Sequence, residues 1–283
     1  MCCLFGFVDY AGSLSVKQKN RLIRELSIAA EARGTDATGI AYNTSRGLQV
    51  YKRPLAAHRL HLCIPAEARA VMGHTRMTTQ GSAKKNYNNH PFFGHVKEES
   101  FALAHNGVLW NDLELRHAKH LPRTKVQTDS YIAVQLLEQK KSLDFDSLRY
   151  MAEQVEGSFS FTVLDEQDAL WIVKGDSPLS IACFPERGVY VYASTAEILN
   201  KALVHCGSWL GHGENVSIET GDIAKIDRKG RITRAAFDTS KLCRPSWDYW
   251  GGIVVRRAAE NGGRAYPAAK IGRKGVRLYR RDD

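Results

Sequence analysis

The chain begins MCCLFGFV at residues 1–8, and this stretch predicts a strand with a reactive group at its head. Residues 3–8 form an unbroken apolar run of strand length, which is typical of a buried β-strand. Cys is small enough for removal of the initiator Met, which would make Cys2 the first residue. A free α-amine has a pKa of about 7.7–8.0 and can accept a proton at neutral pH. It can then act as the base for the thiol of Cys2, without a catalytic His. The alternatives for Cys2 are a small buried hydrophobe or a lipidated Cys2-Cys3 pair.

Outward from this strand, the hydrophobic pattern predicts an α+β fold with much antiparallel pairing. An amphipathic helix is expected over 16–33, ending at Gly34, and another over 127–139 with Thr128 as a candidate N-cap. A short helix is expected over 195–203. Strands are predicted at 3–8, 38–43, 48–52, 70–74, 100–105, 158–164, 169–174, 179–184, 188–193, 216–226 and 230–237.

Length and composition exclude several classes of protein. The 283 residues are 43% hydrophobic and 25% charged, which is unlike a disordered, collagen-like or coiled-coil chain. The formal net charge is +10, and about +6 of it comes from residues 244–283. We therefore predict a domain over 2–239 and a basic, partly disordered extension over 240–283. No run approaches the roughly 18 apolar residues of a membrane span, and no secretory signal or C-x-x-C pair is present. A cytoplasmic location with reduced thiols is expected.

A polar loop after the strand at 70–74 contains a candidate carboxylate site. Residues 73–81 read GHTRMTTQG, so Arg76 leaves a strand end into a glycine-bounded loop. A guanidinium binds carboxylate as a two-pronged fork, although a lone arginine is more often a solvated surface residue. Four histidines could suggest a metal, but they lack the spacing of a ligand set, so no metal is expected. They are His74, His90, His95 and His105.

Two further motifs each have a structural and a chemical interpretation. Asn106-Gly107 follows an apolar strand, where Asn-Gly is usually a turn. An Asn amide beside a glycine N–H is also an effective oxyanion hole, in which one donor is worth about 3 kcal/mol. Thr128-Asp129 opens a predicted helix, and capping is the simpler interpretation. Alternatively, Asp129 could pair with a substrate ammonium group.

The order of these motifs resembles the class II glutamine amidotransferases, which are N-terminal-nucleophile hydrolases. The similarity covers about residues 2–227. This part of the chain resembles the glutaminase domains of glucosamine-6-phosphate synthase and amidophosphoribosyltransferase. The segments that carry it are MCCLFG (1–6), RGTDATG (33–39), GHTR (73–76), HPF (90–92), HNG (105–107), TDS (128–130), VEGSFS (155–160), GDSPL (175–179), AST (193–195) and GDIA (221–224).

This resemblance implies a four-layer αββα sandwich of two mainly antiparallel sheets and assigns a role to each motif. No cofactor is implied. The implied roles are Cys2 as nucleophile with its α-amine as proton shuttle, the Asn106 side chain and Gly107 N–H as oxyanion hole, Arg76 as clamp for the glutamine α-carboxylate, Asp129 with the Gly107 carbonyl as the ammonium site, Thr79 as a lining residue, and Arg33 as a supporting residue near the nucleophile.

Three positions depart from the family pattern. Cys3 stands where Gly usually follows the nucleophile, Met77 replaces a common aromatic, and Gln80 replaces a common His. Cys3 adds a Cβ beside the active-site strand, so it is expected to affect the reaction rate or the geometry of the active site. The other two changes concern acceptor coupling and the glutamine loop more than hydrolysis.

Three functions remain open at this point. The chain could release ammonia from glutamine for a synthase on another chain, since about 50 residues after the resemblance are too few for a synthase domain. It could be a stand-alone glutamine or γ-glutamyl amidohydrolase. It could also be a catalytically idle binding or regulatory module, against which the complete residue set argues. The basic tail suggests a partner-docking extension more than a nucleic-acid contact, because no nucleic-acid motif is recognisable.

Overall fold

A computed structural model describes residues 2–97 and 99–242, together with the backbone of two short strands at 246–247 and 253–254. The chain divides into two compact units, Met1–Arg244 and Pro245–Asp283. In the second unit, Ser246–Trp247 pairs antiparallel with Ile253–Val254. The remainder of the basic extension lies outside the described residues, so its predicted roles stay predictions.

The first sheet of the larger unit has seven strands and contains the strand that follows Cys2. All its pairings are antiparallel. Residues of β1 alternate between the two faces, with Phe5 and Phe7 in one core and Leu4 and Val8 in another. In spatial order the strands are β11 (Glu214–Val216), β9 (Ser180–Phe184), β10 (Val189–Ala193), β1 (Cys3–Asp9), β4 (Ala70–Arg76), β2 (Ala37–Thr44) and β3 (Gly47–Arg53).

The second sheet has six strands, again all antiparallel. Its longest strand, β6, carries the predicted oxyanion residues. In spatial order the strands are β13 (Ile232–Ala236), β12 (Asp222–Ile226), β8 (Leu170–Lys174), β7 (Gly157–Asp165), β6 (Glu99–Leu109) and β5 (Phe92–Val96).

Helices cover the outer face of each sheet. The helices are α1 (Val16–Ala30), α2 (Asp112–Ala118), α3 (Tyr131–Lys140), α4 (Phe145–Gln154), α5 (Ala196–Leu203) and α6 (Gly207–Leu210). Leu22 of α1 and Ile198 of α5 pack in a core with the first sheet. Ile132 of α3 and Leu148 of α4 pack in a core with the second. A third core lies between the sheets, so the αββα sandwich is confirmed.

Several local predictions were wrong. The expected strand over 216–226 is two strands, because residues 217–221 turn between β11 and β12. α2 and α4 were missed, although Asp144 caps α4 by accepting from the main chain of Ser147. The first helix ends at Ala30 and continues as a 3-10 turn to Arg33 before Gly34. Within the described residues, none of the helices has the length and apolar character needed to cross a membrane.

Candidate active site

Strand register places Cys2 beside Arg76. β1 and β4 run antiparallel with Cys3 opposite Thr75, so the preceding residue, Cys2, faces Arg76. The Cys2 thiol contacts the carbonyl of Met77 at 3.5 Å. Burial raises the pKa of the Cys2 thiol, and the nearby Arg76 charge offsets part of that rise. The thiol is therefore protonated at neutral pH, and its use as a nucleophile requires a base.

Arg33 connects Cys2 to the second sheet. Its Nε donates to the Cys2 carbonyl at 2.8 Å, and its Nη2 donates to Asn106 Oδ1 at 3.4 Å. The segment after Arg33 runs close to β4, where a Cβ on Gly34 would lie 2.4 Å from the carbonyl carbon of Arg76. Gly34 is therefore needed for this approach. A cavity of about 480 Å³ opens here, with Arg33, Met77 and five neighbours of Arg33 in its wall.

Asn106 lies inside a continuous strand, so the prediction of a turn at Asn106-Gly107 was wrong. The strand β6 runs on to Leu109 and pairs with β7 throughout this stretch. Because Asn106 Oδ1 accepts from Arg33, its Nδ2 is directed elsewhere. This Nδ2 is buried and has no hydrogen-bond partner among the described residues. A buried amide N–H without a partner is costly in a resting fold, and it is available to a substrate oxygen.

Gly107 is required by its backbone. Its φ is +145°, and an added Cβ would lie 1.9 Å from the carbonyl oxygen of Ser158. Gly107 is opposite Phe159, whose N–H donates to Asp176 and whose carbonyl accepts from Ser177. Phe159 therefore directs its main-chain groups away from β6. In an antiparallel pair of this kind, Gly107 also directs its N–H and carbonyl outward, away from β7.

That outward edge of β6 is open near Gly107, because β5 pairs with β6 only as far as Leu103. Two main-chain groups on the same edge have found partners. The His105 carbonyl accepts from His74 Nε2 at 3.0 Å, and the Leu109 N–H donates to Asp129 Oδ2 at 2.7 Å. The N–H and carbonyl of Gly107 lie between these two contacts, beside the Asp129 carboxylate.

Arg76 is held by the loop that follows it. Nη1 donates to Asn89 Oδ1 at 2.7 Å, and Nη2 donates to the carbonyls of Gln80 at 2.5 Å and Gly81 at 3.2 Å. Both hydrogens of Nη2 are therefore engaged. A two-pronged carboxylate contact requires at least one of these loop carbonyls to give way. Asn89, which the sequence reasoning missed, lies in the Asn-rich stretch at 86–89.

Thr128 does not cap the helix that follows Asp129. Helix α3 begins at Tyr131, its N-cap residue is Ser130, and no side chain caps it. Asp129 is buried and accepts from the Leu109 N–H through Oδ2 and from the Ser130 hydroxyl through Oδ1 at 3.3 Å. The prediction that Thr128 caps the helix is therefore wrong.

Comparison with known proteins identifies the family of the domain. A family model described as a glutamine amidotransferase domain matches residues 74–201. A glutamine–fructose-6-phosphate aminotransferase (isomerizing) from Halalkalibacterium halodurans is 31% identical over 202 residues, which is 68% of this chain and 32% of that protein. A counterpart from Thermus thermophilus is 33% identical over 173 residues, covering 59% of this chain and 27% of that protein. The chain carries a class II glutamine amidotransferase domain.

Solved structures show the same fold as this amidotransferase domain. An allosteric regulatory enzyme of purine biosynthesis superposes with a TM-score of 0.67 at 19% identity, over 86% of this chain and 51% of that chain. A glutamine phosphoribosylpyrophosphate amidotransferase from B. subtilis gives a TM-score of 0.63 at 19% identity, over 89% and 54%. The chain thus spans about a third of these sequence relatives and about half of these two structural neighbours.

The three residues at which this amidotransferase domain departs from the family pattern, Cys3, Met77 and Gln80, lie in different surroundings. Cys3 is fully buried in the core under α1, so its extra Cβ is accommodated by packing. Met77 is exposed at the rim, while Gln80 contributes its main-chain carbonyl to Arg76. Thr79 is exposed in the same loop, and the described structure brings its side chain into no hydrogen bond with the other site residues.

Three of the four histidines lie buried beneath the amidotransferase site. The rings of His74 and His90 lie 4.3 Å apart, and His74 reaches the main chain of His105. Burial lowers the pKa of His74 to about 3 and lowers those of His90 and His105. The described residues hold no group of three or more His, Cys, Asp or Glu arranged for a metal ion.

Proposed function

We propose that this domain hydrolyses the side-chain amide of glutamine through a thioester on Cys2. The observation that carries the proposal is the unpartnered, buried Nδ2 of Asn106, held by the same arginine that binds the main chain of Cys2. A donor without a partner in the resting fold is what a developing oxyanion requires. The outward N–H of Gly107 supplies a second donor.

The first half of the reaction forms the thioester. Once Met1 is removed, the α-amine of Cys2 accepts the thiol proton, and sulfur attacks the amide carbon. The carbonyl oxygen becomes an oxyanion that Asn106 and Gly107 stabilise. The α-ammonium then gives its proton to the amide nitrogen, the C–N bond breaks, and ammonia leaves. In the second half, water attacks the γ-glutamyl thioester, the C–S bond breaks, and glutamate leaves while the thiol regains its proton.

Two side chains of opposite charge in the site favour free glutamine as the substrate. Glutamine carries an α-carboxylate and an α-ammonium, and the site contains Arg76 and the carboxylate of Asp129. We propose that the α-carboxylate replaces the Gln80 carbonyl on Nη2 of Arg76, since both hydrogens of that nitrogen are engaged in the resting structure. The Gly107 carbonyl assists Asp129 in binding the ammonium.

We propose that the ammonia passes to a synthase on another chain. The sequence relatives are named as aminotransferases of fructose-6-phosphate, in which the matched segment is less than a third of the protein. At the end of β6 and the start of α2, the described structure exposes the apolar side chains of Val108, Trp110 and Leu113. Exposed apolar side chains in a group are typical of a partner surface. An adjacent gene for a synthase without its own glutaminase domain would support this arrangement over a stand-alone hydrolase.

The test measures glutamate and ammonia released from glutamine by the wild type, Cys2→Ala and Cys206→Ala. We expect release by the wild type, none by Cys2→Ala, and wild-type release by Cys206→Ala, which removes a buried thiol elsewhere. Intact-mass analysis should show that Met1 is absent from the active protein. An active Cys2→Ala variant, or an active protein that retains Met1, would overturn the mechanism. A wild type without activity would instead favour the binding-module alternative.

A further inference from the structure

Both oxygens of the Asp129 carboxylate are held before any substrate is present. The main-chain N–H of Leu109 donates to Oδ2 at 2.7 Å, and the hydroxyl of Ser130 donates to Oδ1 at 3.3 Å. Asp129 and Ser130 are 4% and 3% exposed, so solvent does not compete for these bonds. Each carboxylate oxygen keeps a further lone pair with which to accept from an ammonium. The Ser130 contact therefore orients the carboxylate without occupying it.

The Ser130 hydroxyl has a second partner, the Nδ1 atom of His105, at 2.8 Å. An ionised carboxylate can only accept, so the single hydroxyl hydrogen of Ser130 is directed at Asp129. Nδ1 of His105 must then carry a hydrogen in order to donate to Ser130. Burial lowers the pKa of His105, so its ring is neutral at neutral pH and holds one hydrogen. The Ser130–Asp129 bond places that hydrogen on Nδ1, whereas a hydrogen on Nε2 would face the Ser158 carbonyl.

His105 is itself fixed by contacts on both of its sides. Its ring stacks on Phe161 with centroids 4.7 Å apart, and its carbonyl accepts from His74 Nε2 at 3.0 Å. His74 lies two residues before Arg76 on β4, in the other sheet. A continuous set of contacts therefore runs from the strand that carries the carboxylate-binding arginine to the carboxylate that faces the ammonium.

We infer that Ser130 and His105 are positioning residues that orient the Asp129 carboxylate for the substrate ammonium group. The inference rests on the proposed glutamine hydrolysis. Neither residue touches the substrate, and neither exchanges a proton during the reaction. Their effect is on binding, because the contact between Asp129 and the ammonium is present in both the bound substrate and the transition state. Loss of such a contact raises KM and leaves kcat unchanged.

The kinetic test compares Ser130→Ala, Ser130→Thr and a matched control, Ser147→Ala. Ser147 is an equally buried serine whose hydroxyl bonds the main chain in the cap of α4, away from Asp129. We expect Ser130→Ala to raise the KM for glutamine about tenfold, as for one lost charge-assisted hydrogen bond, with kcat unchanged. Ser130→Thr keeps the hydroxyl and should restore most of the affinity. Ser147→Ala should lose stability and keep the wild-type KM.

A second readout follows the hydrogen of His105 and does not depend on activity. In the folded wild type labelled with ¹⁵N at histidine, Nδ1 of His105 should be the protonated ring nitrogen and Nε2 the bare one. His105→Asn places an amide N–H where Nδ1 lies and should keep a lower KM than His105→Gln, which places it nearer Nε2. Protonation at Nε2, which would direct the hydrogen to the nearby Ser158 carbonyl, overturns the inference, as does a wild-type KM in Ser130→Ala. A wild type that releases no glutamate contradicts the proposed function instead, and the NMR result then still decides the hydrogen-bond network.

Discussion

Replacing Asn106 with Ala should slow glutamine turnover about 100- to 1000-fold, which corresponds to roughly 2.7–4 kcal/mol of lost transition-state stabilisation. The reason is the state of the side chain before reaction. Its Nδ2 has no partner in the described structure, so the resting fold gains nothing from that donor. The oxyanion of the tetrahedral intermediate is the species that would use it. The loss of this donor should therefore appear in kcat.

The cost to stability follows from the remaining contact of the side chain. Oδ1 of Asn106 accepts one hydrogen bond, from Arg33, at the long distance of 3.4 Å. A hydrogen bond to a charged group is typically worth about 1.5–3 kcal/mol, and this one is long, so the free energy of unfolding should fall by about 1.5 kcal/mol. Urea unfolding of the purified variant measures this difference directly.

Asn111→Ala provides a crossed control from the same region. Asn111 is also buried, but both ends of its amide are used, in bonds of 2.9 Å to the Gln154 carbonyl and from the Glu156 N–H. Its loss should cost about 1–3 kcal/mol of stability and leave kcat unchanged. The reasoning is refuted if Asn106→Ala turns over glutamine at the wild-type rate. It is equally refuted if both variants lose the same stability and the same rate.

Other predictions concern binding, stability and pH. Arg76→Ala should raise the KM for glutamine far more than it lowers kcat, and a fall in kcat alone in initial-rate kinetics would contradict that role. Lys19 and Asp9 form a fully buried ion pair at 3.3 Å. Lys19→Met should therefore lower the free energy of unfolding in urea by about 3–5 kcal/mol, because it leaves a buried charge unpaired. The double variant with Asp9→Asn should recover part of that loss. Burial lowers the pKa of His74 in the folded protein to about 3, whereas a histidine in the unfolded chain has a pKa of about 6.5. Below about pH 6.5 the unfolded chain therefore binds more protons than the folded protein. The free energy of unfolding should then fall on acidification, by up to about 1.4 kcal/mol per pH unit. His74→Asn should reduce the slope of unfolding free energy against pH between 7 and 5, and an unchanged slope would exclude this titration.

Much of the sheet structure could be predicted from the sequence, because period-two patterns with dense apolar residues mark buried strands. The first strand is an example: its apolar run and its neighbour Cys2 are both visible in eight letters. α4 was harder, since its cap depends on a reciprocal contact between Asp144 and Ser147. The division of 216–226 into two strands was also missed, because the turn between them is partly anchored far along the chain, by the Gly221 N–H on the Lys174 carbonyl and the Thr220 hydroxyl on the Gly175 carbonyl.

Each motif of the candidate site could be given a chemical interpretation from its residues, but only the resemblance joined the motifs into one site, and the geometry shows why. Cys2 precedes β1, Arg33 ends the 3-10 turn after α1, and Asn106 lies in β6, so no spacing rule connects them. The structure brings them together through one guanidinium. Asn89 had no visible signal of its role, since an Asn-rich loop is usually just a turn. The position of Thr79 as a lining residue stays a prediction.

The wrong prediction of a turn at Asn106-Gly107 has a physical cause that bears on function. Asn-Gly signals a turn when both residues need positive φ, whereas here Gly107 alone has it, within a strand that continues to Leu109. The strand β6 continues beyond the end of its pairing with β5 at Leu103, so the main-chain groups on that edge have no neighbouring strand to bond. An edge of this kind is normally a liability that must be covered. In this fold His74 and Asp129 cover the His105 carbonyl and the Leu109 N–H, so the glycine between them is left facing the place where we propose that the substrate binds.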